Sequence, residues 1–204
     1  MIQHSTTALR RPNRGGFMAP YILLETAAAI EDVIGADNLE LALKEAQLFR
    51  LPSASEPVRE DKVARLHQAV RKLWARQATD IFKVAGQGAA KRVIETQISE
   101  RAQVMLAKMP RATGAWLLAK TARQNAWIFS GSGDFVVESE SRFQLRANPV
   151  VQGEVSDGHV CHFHVSLLQE LFSTLIHPRL KCREVRCHAA GADACTFEFT
   201  MAAA

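Results

Sequence analysis

The sequence lacks the features that mark membrane-spanning, secreted and nucleic-acid-binding proteins. None of its 204 residues belongs to a run that approaches the roughly eighteen apolar residues of a transmembrane helix. The N-terminus has no charged segment followed by an apolar run and a small-residue cleavage site. The net charge is only +4, and neither basic cluster, Arg10–Arg14 or Arg59–Arg76, is dense or interleaved with aromatic residues. We expect a soluble, cytoplasmic protein without a nucleic-acid partner.

Cysteine is also scarce, but its distribution is uneven. All four cysteines fall in the last quarter of the chain, at Cys161, Cys182, Cys187 and Cys195. A reducing cytoplasm disfavours disulfides, so metal ligation by zinc is the shared cause that the clustering indicates. The sequence has no compact Cys-x-x-Cys pair, and on spacing alone buried cysteines without a metal are the alternative.

Three of these cysteines are readily placed around one ion. Cys161 lies at the start of a predicted helix, where the helix dipole favours a thiolate. Cys187 and Cys195 flank one predicted turn between strands, which can bring the two side chains together. Zinc in a structural site takes four ligands from rigid elements, so a fourth ligand is required.

The fourth ligand is left open by the pattern. Glu184 and Cys182 have the same strand parity and can point to the same face of the sheet. The histidines of this stretch are also within reach, namely His159, His162 and His188. A site of three thiolates and one carboxylate has no open position for water, so its role would be structural.

The hydrophobic pattern divides the chain near residue 125. Residues 1–16 have no apolar periodicity and predict a flexible arm. Residues 17–124 predict mainly helices, beginning with one that Pro20 opens and Gly35 closes. A long amphipathic helix is predicted from Pro57 to Val84, interrupted by a glycine pair that indicates a bend or a close helix approach, Gly86 and Gly88.

Residues 125–204 predict a sheet with one packed helix. Trp127–Phe129 and Phe135–Val137 alternate around a glycine-containing turn and predict a hairpin. A helix from His159 to Ile176 and two closing strands follow. A helical N-terminal half packed on an antiparallel sheet with one C-terminal helix is an α+β fold, and we expect residues 17–204 to form one domain.

The last quarter of the chain resembles the vinyl-4-reductase domain family. The resemblance is carried by Cys161, Glu184, Cys187 and Cys195, by the helix after the first of them, and by the closing segment Gly191–Phe199. The family includes bacteriochlorophyll 4-vinyl reductases and the sensory regions of phenol-responsive transcription activators. Sensory members hold zinc with one Cys, one Glu and two further Cys at these separations. The resemblance therefore implies Glu184, rather than Cys182, as the fourth zinc ligand.

The resemblance also implies a fold and a ligand. The family shares its fold with haem-nitric-oxide sensors and a vesicle-tethering subunit, which hold an apolar ligand between helices and sheet and pair through the helical half. Without an ATPase or DNA-binding segment, the chain is more similar to the stand-alone bacteriochlorophyll-pathway members. We therefore expect a cytoplasmic homodimer, at the periphery of the photosynthetic membrane, that binds a magnesium-porphyrin or chlorophyllide intermediate and works with bacteriochlorophyll biosynthetic enzymes.

The residues give no support to a reductase activity of the chain by itself. Vinyl reduction needs a nicotinamide-binding glycine turn after a strand, or ligands of a redox cluster. The Gly86-Gln87-Gly88 segment lies inside a helical pattern, and the cysteines lack iron–sulfur spacing. We therefore place a tetrapyrrole-binding accessory or carrier protein first. A true vinyl reductase and a ligand-sensing or scaffold module are the alternatives.

On the first interpretation, the apolar faces of the long helix and the sheet enclose the macrocycle. Either His67 or His162 could ligate its central metal, although a lone helical histidine is more often solvated or hydrogen-bonded. The candidate walls, each otherwise an ordinary core residue, are Trp74, Trp116, Trp127 and Phe129.

Overall fold

The structure, a computed structural model, describes residues 15–202. The arm predicted for residues 1–16 therefore lies, apart from its last two residues, outside the described residues. The helices are α1 Pro20–Ile34, α2 Ala36–Glu45, α3 Glu60–Leu73, α4 Ala78–Gln97, α5 Glu100–Lys108, α6 Arg111–Gln124, α7 Trp127–Ser130 and α8 His162–Leu175. Among residues 15–202, no helix is both long and apolar enough to cross a lipid bilayer.

Six strands form two antiparallel sheets. Their bounds are β1 Phe17–Met18, β2 Val58–Arg59, β3 Asp134–Val137, β4 Arg142–Arg146, β5 Leu180–Arg186 and β6 Ala194–Met201. The first two pair with each other, and the other four form one sheet in the order β3-β4-β6-β5. A short 3-10 turn, His188–Ala190, lies between β5 and β6.

The elements are stacked in layers around α4. This helix packs against α1 on one side and against α8 on the other, and α8 in turn packs against β5 of the four-stranded sheet. The predicted α+β class is therefore confirmed, with a helical N-terminal half, an antiparallel sheet and one C-terminal helix.

A connected group of aromatic rings fills the space between α8 and the sheet. Phe143 of β4 lies 5.6 Å from Phe135, 5.3 Å from Phe172 and 5.6 Å from Phe199, measured between ring centroids. Phe172 of α8 and Phe199 of β6 lie 4.6 Å apart. Alternation along the strands places these rings on one face, where they bury large apolar surfaces and form the core.

The single long helix predicted from Pro57 to Val84 is wrong. The α3 helix ends at Leu73 because the backbone of Trp74 leaves the helical region, at φ −137° and ψ 59°. The chain then starts α4 at Ala78, and the glycine pair lies inside α4 without interrupting it.

Gly86 instead provides the close helix approach. A Cβ atom at this position would lie 2.5 Å from the carbonyl oxygen of Phe163 and 2.6 Å from Cβ of Ser166, both in α8. Only a residue without a side chain allows the two backbones to approach this closely. Gly86 therefore sets the distance between the helical half and the helix that carries the metal-type cluster described below.

The strand predicted at Trp127–Phe129 is also wrong, because these residues form α7. The backbone N–H and the hydroxyl of Ser130 both donate to the carbonyl oxygen of Ala126, at 2.8 and 2.7 Å. Gly131, at φ 58°, then ends the turn. The hairpin is made by β3 and β4, so the helical pattern extends to residue 130 rather than ending near residue 125.

Candidate metal centre

Four buried side chains converge where α8, β5 and β6 meet. They are Cys161, Glu184, Cys187 and Cys195, with ligand atoms that all lie within 4.8 Å of one another. Cys161 is the N-cap of α8, Glu184 belongs to β5, Cys187 follows β5, and Cys195 belongs to β6. Three separate elements therefore hold the group, as a rigid metal site requires.

The distances within this Cys3Glu cluster suit a tetrahedral ion. The Sγ atom of Cys161 lies 3.3 Å from that of Cys195 and 4.0 Å from that of Cys187. Sulfurs bound to tetrahedral zinc at about 2.3 Å lie about 3.8 Å from each other, whereas a disulfide needs about 2 Å. The cluster is therefore arranged for ligation rather than for a disulfide.

Hydrogen bonds around the cluster also favour anionic ligands. The side-chain amide of Asn148 donates to the sulfurs of Cys161 and Cys195, at 3.6 and 3.7 Å. The backbone N–H of Cys161 donates to Oε2 of Glu184 at 3.0 Å, while Oε1 of Glu184 is buried without a partner. A buried carboxylate oxygen without a donor is costly, and a bound cation would satisfy it.

The electrostatics show why a cation would be favourable. Burial and the neighbouring Cys187 raise the pKa of Glu184 to about 8, and hydrogen bonds from Cys161 and Cys195 lower the pKa of Cys187. Hydrogen bonds to its cysteine neighbours raise the pKa of Cys161 well above its usual range. Four such groups cannot all ionise beside one another, but a divalent ion would offset their charges. The residues present therefore fit a metal ion.

The structure distinguishes Glu184 from Cys182. Both lie on the buried face of β5, as their parity predicts, but Cys182 pairs with Phe199 and is not part of the cluster. Its backbone N–H donates to Oε1 of Gln169 at 3.2 Å. A register shift between Glu184 and Arg186 interrupts the strand alternation before Cys187. The histidines considered as alternative ligands, His159, His162 and His188, are not members of the cluster.

Asn148 is a residue of this centre that sequence reasoning missed. It is fully buried, and its Oδ1 atom accepts from the backbone N–H of Val150 at 3.1 Å, which orients the amide toward the sulfurs. The only local signal is the Asn148-Pro149 dipeptide, which marks a turn but not a contact with cysteine.

The six candidate residues for a tetrapyrrole pocket do not surround one cavity. Trp74 caps α3 and is half-buried, whereas Trp116 on α6 is 48% exposed, with Nζ of Lys120 4.4 Å from its ring centroid. Trp127 and Phe129 of α7 are buried. His67 and His162 lie apart, the first in the core and the second in an open cleft.

His67 is enclosed by the helical layers. Its Nε2 lies 3.1 Å from the hydroxyl of Thr26, and its ring centroid is 4.7 Å from that of Phe82 and 5.2 Å from that of Phe163. Its Nδ1 atom has no partner. The surrounding aromatic side chains leave His67 no space for a macrocycle in this conformation.

Two cavities of very different size lie near these residues. A crevice of about 70 Å³ between α4, α6, α7 and α8 is lined mainly by apolar side chains, including Phe129. A cleft of about 910 Å³ lies between α3 and the segment that precedes Cys161. It is lined by polar and cationic residues together with small apolar ones, including Arg65, Gln68, Lys72, Ala69, Val155, His159, Val160 and His162.

The buried histidines make an acid-dependent loss of stability predictable. Burial lowers the pKa of His164 to about 4 and holds that of His67 well below its usual value. Both are neutral in the folded protein, whereas the unfolded chain takes up protons below about pH 6.5. Their contribution is complete above that pH and decreases toward pH 4, by up to about 1.4 kcal/mol per pH unit for each histidine.

Urea unfolding at pH 7.5 and pH 5 measures this effect. Replacing His164 by Gln keeps a donor for the carbonyl oxygen of Phe129, which His164 contacts at 3.1 Å, but removes the titrating group. We expect the variant to lose less stability than the wild type between the two pH values. Equal losses in both proteins would contradict the assignment, because other acid-sensitive groups are common to both.

The helical layers and the antiparallel sheet define the class of protein by fold. The chain superposes on an H-NOX protein from S. oneidensis in its Fe(II)NO ligation state with a TM-score of 0.57 and 14% identity, covering 91% of this chain and 100% of the other. A second H-NOX structure, concerned with haem distortion, gives 0.54 and 15% over 90% and 95% of the two chains. At this identity the likeness shows the fold alone, and it confirms the predicted haem-nitric-oxide-sensor-like fold.

Sequence similarity identifies the family. Residues 142–201, which include the whole Cys3Glu cluster, match the vinyl-4-reductase domain. The chain is 33% identical over 183 residues to the bacteriochlorophyll synthase 23 kDa chain of Cereibacter sphaeroides, covering 89% of each. It is 25% identical over 182 residues to that of Rhodobacter capsulatus, covering 88% of this chain and 85% of the other. The chain belongs to this vinyl-4-reductase domain family, as its residues predicted.

Proposed function

We propose that this protein is an accessory or carrier protein of bacteriochlorophyll biosynthesis that binds a magnesium tetrapyrrole. The observation that carries the proposal is the 33% identity, over 89% of both chains, to a protein named as a chain of bacteriochlorophyll synthase. Its protein partners would then be bacteriochlorophyll biosynthetic enzymes, and it would hold an intermediate such as a magnesium porphyrin or a chlorophyllide for them.

The cluster of Cys161, Glu184, Cys187 and Cys195 would hold a structural zinc ion. With four protein ligands, the ion would have no open position for water or substrate. Its contribution would be to join the start of α8 to β5 and β6. The function would therefore lie outside the cluster, in a part of the fold that the cluster keeps in place.

The proposed location of the tetrapyrrole is the cleft of about 910 Å³. Small-molecule sites occupy about 300–1,000 Å³, so this cleft has a suitable size, whereas the apolar crevice of about 70 Å³ does not. The expected position between the helices and the sheet is filled by the aromatic core described above. A macrocycle would enter that space only if the core opened.

The lining of the cleft provides contacts for each part of a magnesium tetrapyrrole. His162 is partly buried there and would ligate the central ion through its imidazole. Val155, Val160 and Ala69 provide apolar contacts for the ring. Cationic side chains suit the carboxylate substituents, and those that line this cleft include Arg65 and Lys72.

Titration with a magnesium porphyrin tests the proposal. We expect a saturable shift of the Soret band at micromolar concentrations, and an affinity about tenfold lower for His162→Ala, because one metal ligand is lost. His177→Ala, which changes a histidine outside the cleft, should bind like the wild type. No saturable shift in the wild type would contradict tetrapyrrole binding and favour the scaffold alternative. A loss with His67→Gln but not with His162→Ala would place the ligand in the core.

The reductase alternative has its own measurement. The purified protein is supplied with a divinyl substrate and either a nicotinamide or reduced ferredoxin, and formation of the reduced product is followed by chromatography. Because the residues show no site for either electron source, we expect no turnover without a second protein. Turnover by this chain alone would replace the carrier proposal.

A further inference from the structure

The loop between α2 and β2 presents a phenylalanine that is fully exposed. The side chain of Phe49 is 101% exposed, and that of Leu51, two residues later, is 38% exposed. Leu48, directly before Phe49, is buried. Single exposed leucines are ordinary, but an aromatic ring without protein contact at the end of an anchored loop is uncommon in a stable surface.

The end of α2 is built to hold this loop outward. Gln47 has a φ of 55°, which a residue with a side chain adopts only rarely. The backbone N–H of Gln47 donates to the carbonyl oxygen of Lys44, and that of Leu48 donates to that of Leu43, at 3.0 and 2.8 Å. This closure reverses the chain, so Leu48 packs into the core while Phe49 projects into solvent.

The surface next to Phe49 is cationic. A groove of about 400 Å³ lies beside the loop, lined by three cations, Arg50, Arg59 and Lys62, and by one carboxylate, Glu56. Arg59 donates to Asp61 at 3.2 Å, but both side chains are largely exposed, so this ion pair does not remove the guanidinium from other partners. The remaining lining is mainly apolar and includes Phe17, Leu51, Pro52 and Pro57.

We propose that this surface, made by Phe49, Leu51, Arg50, Arg59 and Lys62, docks the protein on an anionic lipid bilayer. Phe49 and Leu51 would enter the boundary between headgroups and acyl chains, where apolar and aromatic side chains are stabilised. The cations would contact lipid phosphates, which guanidinium groups bind through paired hydrogen bonds. One short loop with a few cations gives weak, reversible binding, as in a peripheral protein.

A lipid surface fits these residues better than a protein groove does. A protein groove for Phe49 would be apolar and would require the adjacent cations to find carboxylates at matching positions. A membrane offers anions at every position around the ring. This inference goes beyond the proposed function, because lipid binding depends neither on a tetrapyrrole nor on the cleft that would hold it.

Sedimentation of the full chain with lipid vesicles tests the proposal. We expect binding to vesicles that contain phosphatidylglycerol, little binding to pure phosphatidylcholine, and release by about 1 M salt, at which the Debye length is only about 3 Å. Phe49→Ala should weaken binding about tenfold or more, because the membrane contact of one aromatic ring is lost. Arg50→Glu should also weaken it.

The matched control is Trp116→Ala, which removes another exposed aromatic ring from α6, a helix that does not line this groove. It should bind vesicles like the wild type, and both variants should keep the thermal unfolding temperature of the wild type. Failure of the wild type to bind anionic vesicles, or unchanged binding by Phe49→Ala, would overturn the proposal. A Phe49→Ala variant that loses a protein partner while the wild type ignores vesicles would identify a protein interface instead.

Discussion

Replacement of Cys187 by Ser is expected to remove the metal and to destabilise the protein by at least about 3 kcal/mol. Cys187 is 1% exposed and lies 4.0 Å, between sulfurs, from Cys161. Serine is a poor zinc ligand at neutral pH, so the remaining groups would be buried together without a cation. Metal analysis after gel filtration and urea unfolding of both proteins would measure the two effects.

Cys182→Ser is the matched control for this prediction. It changes a buried cysteine of β5 that lies outside the cluster, so the metal content should stay the same. Its stability should decrease by about 1–3 kcal/mol, because a hydroxyl replaces a buried thiol. Unchanged one-to-one zinc in Cys187→Ser would remove Cys187 from the site. Loss of zinc from Cys182→Ser alone would restore Cys182 as the fourth ligand.

Replacement of Gly86 by Ala is expected to cost about 2 kcal/mol or more of the free energy of unfolding. The new Cβ would lie 2.5 Å from the carbonyl oxygen of Phe163 and 2.9 Å from the backbone nitrogen of Leu167. Backbone atoms of a packed helix cannot move aside cheaply, and overpacking of this kind costs about 1–3 kcal/mol. This exceeds the gain of about 1 kcal/mol that alanine brings to a helix interior.

Gly88→Ala tests the same substitution two residues away in the same helix. Its Cβ would meet the carboxylate of Glu25, with the nearest oxygen at 2.4 Å. The end of this side chain can rotate away, although its ion pair with Arg92 at 3.1 Å would weaken. We expect the unfolding midpoint in urea to be nearly unchanged. Equal effects of the two substitutions would show that the contact between α4 and α8 is not limited by Gly86.

The local patterns were sufficient for the fold class but not for every element. Pro20 and Gly35 bound the first helix as predicted, since each acts on the backbone directly. The break between α3 and α4 was missed because apolar residues continue at helical spacing on both sides of Trp74. Trp127–Phe129 was assigned to a strand because a short aromatic run fits either structure, and tertiary contacts made it helical.

The metal-type cluster was only partly predictable. Cysteine spacing placed Cys161, Cys187 and Cys195 together, because a helix start and one turn bring them close. Residue pattern left Glu184 and Cys182 equivalent, and family resemblance favoured Glu184. The register shift in β5 provides the physical reason, since it places Glu184 with Cys187. Asn148 carries no detectable pattern because its contacts are made across the fold.

The sequence by itself determined the order of helices and strands and the set of candidate metal ligands, because local periodicity and residue chemistry encode both. Only the tertiary structure decided how the interior is used. Phenylalanines from distant segments fill the space expected for a ligand, and an open cleft lies instead beside His162. Gly86 likewise proved to be a helix contact rather than a helix break. These outcomes depend on which distant side chains meet, and local patterns carry no information on such contacts.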